Sequence, residues 1–206
     1  MLLRPKSVVL RAVGRRQFRL LMVRLFLIGY SGAGKTTLGR AFARSVGFDF
    51  IDLDWYIEQR FHSDIATLFR QRGEDGFRRL ERNLLHEVGE FENVIISCGG
   101  GTPCYSDNMD YMLSAGITVF LQAGEEALFR RLKVARDARP LLQGKDDEAL
   151  RAAIRQACEE RRQFYERAAY TITSDRLENR EEIAGTVEQL RRMLDWDKLV
   201  ERKDIH

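Results

Sequence analysis

Short apolar runs alternate with longer charged stretches over most of the chain. Five runs have the length and composition of buried strands, at residues 23–28, 50–53, 93–97, 117–121 and 170–173. The stretches between and after them favour helices, at about residues 36–46, 55–90, 106–115, 125–134, 148–168 and 180–195. The second of these stretches is interrupted near Ser63 and Gly73. Residues 136–147 are polar, contain Pro140 and Gly144, and predict a loop.

Strands that are separated by helices are joined by crossover connections rather than by tight hairpins. The sequence therefore predicts an α/β fold with three layers, α/β/α, around a five-stranded parallel sheet. No internal repeat or linker divides the chain. We expect one domain over residues 22–195, followed by a polar C-terminal tail over residues 196–206.

Composition and charge narrow the class of protein. Hydrophobic residues make up 44% and charged residues 32% of the 206 residues, which is normal for a globular domain, and no apolar run is long enough to span a bilayer. The net charge is +3, but residues 1–21 hold six basic side chains and no acidic one, so the remainder carries −3. We therefore expect no nucleic-acid partner and no membrane partner.

The N-terminal extension and the cysteines bear on the cellular compartment. Residues 1–21 have the composition of a transit peptide, but we expect them to be an extension without function, disordered or untranslated, with translation starting at Met22. The chain has three cysteines, a small odd number that argues against a disulfide framework and for a reducing compartment. We predict a cytoplasmic protein.

One glycine-rich segment is a specific signal for nucleotide binding. Residues 29–36, GYSGAGKT, match the pattern GxxxxGK[ST] between a predicted strand and a predicted helix. Glycines let backbone N–H groups approach phosphates, and the positive end of the following helix points at the same anion. Lys35 can reach the β- and γ-phosphates of ATP, and Thr36 offers a hydroxyl to Mg²⁺. The motif does not identify the phosphate acceptor.

Two acids and a glycine triplet follow predicted strands, at the edge where open parallel sheets bind ligands. One of Asp52 and Asp54 near Mg²⁺ and the other near a substrate hydroxyl would suit phosphoryl transfer. Two solvated acids at the start of a helix would have the same sequence, because aspartate is also a preferred N-cap. Gly99–Gly101 come directly after the third strand and would let a ligand contact the backbone.

Arginines in three segments are candidates for binding anions. Arg78 lies three residues before Glu81 and could bind a planar carboxylate through two hydrogen bonds. Arg139 begins the sequence RPLL in the polar segment, where a mobile loop could close over the nucleotide. Arg161 and Tyr165 are four residues apart and share one face of a helix. Each arginine alone could equally be a surface charge.

Together these motifs resemble those of the shikimate kinase family, in the family's order, from residue 22 to about residue 193. The matching segments are GYSGAGKT, Asp52 with Asp54, Phe77–Glu81, Gly99–Gly101, RPLL from Arg139, and Arg161 with Tyr165. The resemblance implies a P-loop kinase fold with a mobile lid and a substrate-binding helical segment. It also implies transfer of the γ-phosphoryl group of MgATP to the 3-hydroxyl of shikimate.

The resemblance further implies a role for each matched residue. The catalytic residues would be Lys35, Asp54 and Arg139. The nucleotide would contact Gly32, Ala33, Gly34, Lys35, Thr36, Thr37, Arg139 and Arg176. Shikimate would contact Asp54, Arg78, Gly100, Gly101 and Arg161. The ligands of Mg²⁺ would be Thr36, Asp52 and Ser97.

Two alternatives remain open from the residues alone. A gluconate-type or other small-molecule kinase would share the phosphate-binding loop, and a nucleotide-binding module without catalysis would share part of the site. Tyr30 and Ser31 occupy positions where the family often has proline followed by methionine or a small residue, so we expect the acceptor-side wall to differ. No heptad seam or apolar interface stripe is visible, and we expect a monomer.

Overall fold

A computed structural model describes residues 23–134 and 146–201. Its five strands form one sheet in which every pair is parallel. The strands are β1 (Arg24–Ile28), β2 (Asp49–Asp52), β3 (Val94–Ser97), β4 (Ile117–Gln122) and β5 (Tyr170–Thr173). Their order across the sheet is β2-β3-β1-β4-β5. Strands β2 and β3 therefore lie on one side of β1, and β4 and β5 lie on the other. Sheets of this kind bind ligands at such a switch in strand order, beyond the carboxyl ends of their strands.

Eight α-helices and a short 3₁₀ helix occur in the described part of the chain. They are α1 (Lys35–Val46), α2 (Leu53–Phe61), α3 (Ile65–Val88), the 3₁₀ helix (Thr102–Cys104), α4 (Asn108–Ala115), α5 (Glu125–Val134), α6 (Asp147–Tyr165), α7 (Arg180–Met193) and α8 (Trp196–Glu201). No helix in residues 23–134 and 146–201 is both long and apolar enough to cross a bilayer.

The helices cover both faces of the sheet and bury an apolar cluster on each. In β1, Leu25 and Leu27 belong to the cluster with α1 and α7, whereas Phe26 and Ile28 belong to the cluster with α2 and α3. All four side chains are fully buried. Because successive side chains of a strand point to opposite faces, a strand covered on both sides is apolar throughout. The predicted three-layer α/β fold is confirmed.

The predicted helices differ from the structure mainly at their ends and at interruptions. The long helical stretch is divided between α2 and α3, and α3 itself is interrupted at Gly73, whose φ of 67° and ψ of 175° are not helical. Glycine adopts a positive φ without steric cost, which explains the break predicted there. The 3₁₀ helix was not predicted, because a three-residue helix has no apolar periodicity. Residues 1–21 and most of the predicted loop, including Arg139, lie outside the described residues.

The predicted start of a polar tail at residue 196 differs from the structure. Helix α8 begins there, and only 3% of Trp196 is exposed. The indole lies edge-on to the rings of Phe42 and Phe48, with centroid distances of 5.0 and 5.2 Å. An edge-on pair of aromatic rings is a favourable packing geometry. The folded unit therefore extends beyond residue 195.

Trp196→Ala is expected to lower the free energy of unfolding by about 3–5 kcal/mol, the range for removing a large buried aromatic side chain. Urea unfolding followed by circular dichroism would measure the change. Trp55→Ala is the matched control, because Trp55 is 58% exposed and its loss should change stability by less than about 0.5 kcal/mol. Equal stability of the two variants would show that α8 is not part of the folded core.

Candidate active site

The glycine-rich segment forms a loop between β1 and α1, as the motif predicts. Gly34 immediately precedes α1 with φ 90°, a left-handed conformation that disfavours any residue with a Cβ atom. Lys35 Nζ donates to the carbonyl oxygens of Gly29, at 2.8 Å, and of Tyr30, at 3.0 Å. The lysine side chain therefore lies along the loop, where its charge is directed at the space in front of the α1 N-terminus.

A threonine and an aspartate meet beside this loop. Thr36 Oγ1 donates to Asp52 Oδ2 at 2.6 Å, and Asp52 Oδ1 accepts from the backbone N–H of Trp55 at 3.4 Å. Ser97 is 3% exposed and is the neighbour of Asp52 in the register of β2 and β3. Asp52 thus caps α2, which confirms the helix-capping interpretation, and it also accepts a hydrogen bond from the phosphate loop side, so its role toward Mg²⁺ stays a prediction.

These three side chains fit the ligand preference of Mg²⁺. Their donors are all oxygen atoms, and only one is a carboxylate, which suits an ion that keeps several waters and binds phosphates. Within residues 23–134 and 146–201, no group of three or more His, Cys, Asp and Glu side chains could form an all-protein metal cage. Thr36, Asp52 and Ser97 are therefore candidates for a site that holds the ion together with a nucleotide.

A cavity of about 710 Å³ extends from the phosphate loop across the carboxyl ends of the strands. Its walls include Gly32, Gly34, Lys35, Thr36, Thr37, Asp52, Asp54, Ser97, Gly99 and Gly100. Most of the predicted nucleotide and metal residues thus line one continuous space, together with Asp54 and Gly100. The other three predicted acceptor residues, Arg78, Gly101 and Arg161, do not line it. Ala33, which is 1% exposed, belongs to the loop but not to this wall.

Asp54 lies in this cavity between the phosphate loop and the glycine triplet. Its side chain faces the open mouth, but protein atoms surround the carboxylate, and this desolvation, with the nearby charges of Glu81 and Asp52, raises the pKa of Asp54 to about 6. The charge of Lys35 acts in the opposite direction. A Cβ atom on Gly99 would lie 2.8 Å from Asp54 Oδ1, so a larger residue there would require the carboxylate to shift.

The guanidinium of Arg78 is held by a buried carboxylate. Arg78 Nη1 donates to Glu81 Oε2 at 2.7 Å, and Thr102 Oγ1 donates to Glu81 Oε1 at 2.6 Å. Glu81 is 1% exposed, so both of its oxygens are satisfied where water cannot reach them. A Cβ atom on Gly101 would collide with the guanidinium of Arg78. The guanidinium of Arg78 therefore packs directly against Gly101 of the triplet.

Arg161 approaches the same triplet from α6. Its Nη1 atom is 3.4 Å from the position of a Cβ on Gly100, and Tyr165 Oη donates to the Gly100 carbonyl oxygen at 2.6 Å. The predicted pair on one helix face is thus confirmed as a pair of neighbours. Arg78 lies against Gly101 and Arg161 lies near Gly100, so that two cations lie beside neighbouring residues of the triplet, an arrangement that suits a small carboxylate.

The far wall of the cavity contains residues that the sequence did not single out. Arg131 on α5 donates to the Gly32 carbonyl oxygen at 3.2 Å and to Glu178 Oε1 at 2.9 Å, and Leu177 lies against Gly34. No motif marks Arg131, because it is one of several arginines on a charged helix. Arg176, the predicted nucleotide contact in this segment, is exposed and does not line the cavity, whose wall is formed there by Leu177 and Glu178.

The fold and the site are those of a phosphotransferase of the P-loop kinase class. A parallel α/β sheet carries a phosphate loop at the carboxyl ends of its strands, with candidate Mg²⁺ ligands and two arginines nearby. The family model for shikimate kinase matches residues 31–201. A shikimate kinase from Bacteroides thetaiotaomicron is 57% identical over 174 residues, which cover 84% of this chain and 99% of that relative. This chain belongs to the shikimate kinase family.

Solved structures agree with this assignment. A crystal structure of the Bacteroides thetaiotaomicron shikimate kinase has a TM-score of 0.80 at 55% identity and covers 84% of this chain and 98% of that one. A structure of the Acinetobacter baumannii shikimate kinase in complex with shikimate has a TM-score of 0.74 at 30% identity, with 85% and 95% of the two chains covered.

Proposed function

We propose that this protein transfers the γ-phosphoryl group of ATP to the 3-hydroxyl of shikimate and releases ADP and shikimate 3-phosphate. Membership of the shikimate kinase family supports the reaction. The observation that carries the choice of acceptor is the placement of Arg78 and Arg161 around Gly100–Gly101, next to Asp54. A carboxylate bound there would direct the hydroxyl groups of a small ring toward Asp54 and the phosphate loop.

Positioning and electrostatics supply most of the catalysis in phosphoryl transfer. Asp54 orients the attacking hydroxyl and accepts its proton as the bond to phosphorus forms, and the γ-phosphoryl group leaves the ADP oxygen in line. Lys35 and the backbone N–H groups of the loop bind the phosphates. Thr36, Asp52 and Ser97 would hold Mg²⁺, which neutralises phosphate charge when bound.

Two further points stay proposals. Arg139 is expected to approach the transferred phosphoryl group, but it lies outside the described residues. We also propose that the protein acts as a monomer, because the sequence has no heptad seam and no apolar interface stripe.

The test of this function is ADP release by the purified protein with MgATP and one of several acceptors. Shikimate, gluconate and a panel of nucleoside monophosphates would be compared with no acceptor. We expect fast release with shikimate alone. Release with gluconate or a nucleotide instead would overturn the roles of Asp54, Arg78 and Arg161 toward shikimate. No acceptor-dependent release, combined with measurable ATP binding, would favour a nucleotide-binding module.

A further inference from the structure

The aromatic ring of Tyr30 lies against the guanidinium of Arg161. The distance from Arg161 Cζ to the ring centroid is 5.4 Å, within the range of an attractive cation–π contact. Tyr30 is the second residue of the phosphate loop, whereas Arg161 belongs to α6. A residue of the nucleotide-binding loop thus directly contacts an arginine that lies beside the glycine triplet.

This contact is part of a junction at Gly100. A Cβ on Gly100 would lie 3.2 Å from the backbone nitrogen of Ser31 and 3.4 Å from Arg161 Nη1. Tyr165 also donates to the Gly100 carbonyl oxygen from the α6 side. The phosphate loop, the glycine triplet and α6 therefore meet at one point, and the side chain of Tyr30 spans two of them.

The backbone and the ring of Tyr30 serve different contacts. Its carbonyl oxygen accepts from Lys35 Nζ at 3.0 Å and from the backbone N–H of Ala33 at 3.1 Å, which fixes its place in the loop. Its ring borders a cavity of about 630 Å³ whose walls include Phe120, Ile154 and Tyr165. Tyr30 packs against both apolar clusters but is only partly buried, so replacing it should disturb the core less than replacing a fully enclosed aromatic residue would.

We propose that Tyr30 is a positioning residue for the acceptor, and that its ring holds the guanidinium of Arg161 in the orientation that binds the substrate carboxylate. The inference rests on the proposed function. A flexible arginine loses side-chain entropy when it binds a ligand, and a contact that already fixes its orientation reduces that loss. The phosphates of ATP use the backbone and Lys35 instead, so the ring of Tyr30 should matter little to them.

The experiment compares Tyr30→Leu with Tyr30→Phe in the full chain. For Tyr30→Leu we expect the KM for shikimate to rise about 2- to 30-fold, which corresponds to the loss of one cation–π contact. Its kcat and its affinity for ATP in the absence of shikimate should stay within about twofold of the wild type, since no ATP contact is removed. Tyr30→Phe keeps the ring and should restore the wild-type KM. Tyr30→Met replaces the leucine variant if that variant does not fold.

The outcomes distinguish a failure of the role proposed for Tyr30 from a failure of the proposed function. A wild-type protein that does not phosphorylate shikimate overturns the proposed function, and the role of Tyr30 with it. An active wild type and an unchanged KM for shikimate in Tyr30→Leu overturn the inference alone. So does a phenylalanine variant as impaired as the leucine variant, because the hydroxyl and not the ring would then be responsible. An equal loss of ATP affinity also overturns it, because that result would indicate general damage to the loop.

Discussion

Replacing Asp54 by asparagine is expected to lower the turnover number with shikimate by a factor on the order of 10² or more, the scale of a lost acid–base group. Asparagine has nearly the same shape and still accepts a hydrogen bond, but it cannot take up the proton of the attacking hydroxyl. Because the proposed contacts of the ATP phosphates are the loop and Lys35, the dissociation constant for ATP should change by no more than a few fold. ADP release at saturating substrates and calorimetric titration with ATP would measure the two quantities.

The surroundings of Asp54 explain why this carboxylate suits the role. Glu81 and Asp52 place negative charge near it, and surrounding protein atoms desolvate it. Both effects disfavour the ionised form, so the Asp54 carboxylate binds a proton more readily than an ordinary surface aspartate does. Gly99 leaves the space that the carboxylate occupies.

Asp49→Asn is the matched control for this prediction. Asp49 is exposed and lies at the N-terminal end of β2, whereas the cavity lies at the carboxyl ends of the strands. The same change of charge at this position should leave both turnover and ATP binding at the wild-type level. Near-normal turnover in Asp54→Asn would remove Asp54 from the proton-accepting role and leave it as a ligand of the substrate hydroxyls at most.

The parts of the fold that the sequence predicts are those decided by local pattern. The run before the phosphate loop is apolar at every position from Leu25 to Ile28, and the structure buries all four side chains between two helical layers. The loop motif fixes its own position as well, because its glycines and lysine need a strand before them and a helix after them. In a parallel sheet the carboxyl ends of the strands lie at one edge, so the sequence also predicts that the residues after those strands lie close together.

The parts that the sequence does not predict depend on distant contacts. Helix α8 has only six residues, too few for an apolar repeat, and Trp196 is buried by Phe42 and Phe48, about 150 positions earlier in the chain. Arg131 is similar to its neighbours in sequence, and only the fold brings it to the Gly32 carbonyl oxygen. The contacts of such residues depend on tertiary packing, which the local sequence does not indicate.

The sequence also does not predict the surroundings of Glu81, although this residue belongs to a matched motif. The sequence places it three residues after Arg78, which is equally compatible with a solvated ion pair on a helix surface. In the structure it is buried and also accepts a hydrogen bond from Thr102, 21 positions along the chain. A carboxylate fixed on both oxygens holds the guanidinium of Arg78 in one place, as the proposed binding of a substrate carboxylate requires.

Arg78→Ala is expected to weaken shikimate binding about 100-fold and to leave ATP binding nearly unchanged. The substrate carboxylate loses a charged partner that the structure holds in place through Glu81, and truncation of a charged hydrogen-bonding partner at a binding site typically has an effect of this size or larger. Separate calorimetric titrations with shikimate and with ATP would give the two dissociation constants. The selective loss of one of them is the signature of an acceptor residue.

Stability has to be measured on the same variant, because Arg78 also neutralises a buried charge. With the guanidinium removed, Glu81 remains desolvated with only Thr102 as a hydrogen-bond partner, so we expect the melting temperature to fall as well. Arg78→Lys separates the two effects. Lysine keeps a positive charge near Glu81 and should restore most of the stability, but it lacks the planar pair of donors and should bind shikimate more weakly than the wild type does.

Arg79→Ala completes the comparison, since Arg79 is the adjacent residue on α3 and is exposed, whereas the Arg78 side chain is 16% exposed and is paired with Glu81. It should bind both ligands with wild-type affinity. If Arg78→Ala lost the same factor for ATP as for shikimate, or if Arg79→Ala matched its loss of shikimate binding, the arginine at position 78 would act through the general charge or stability of α3. An acceptor-selective loss confined to position 78 would instead identify this guanidinium, held by Glu81, as a ligand of the substrate carboxylate.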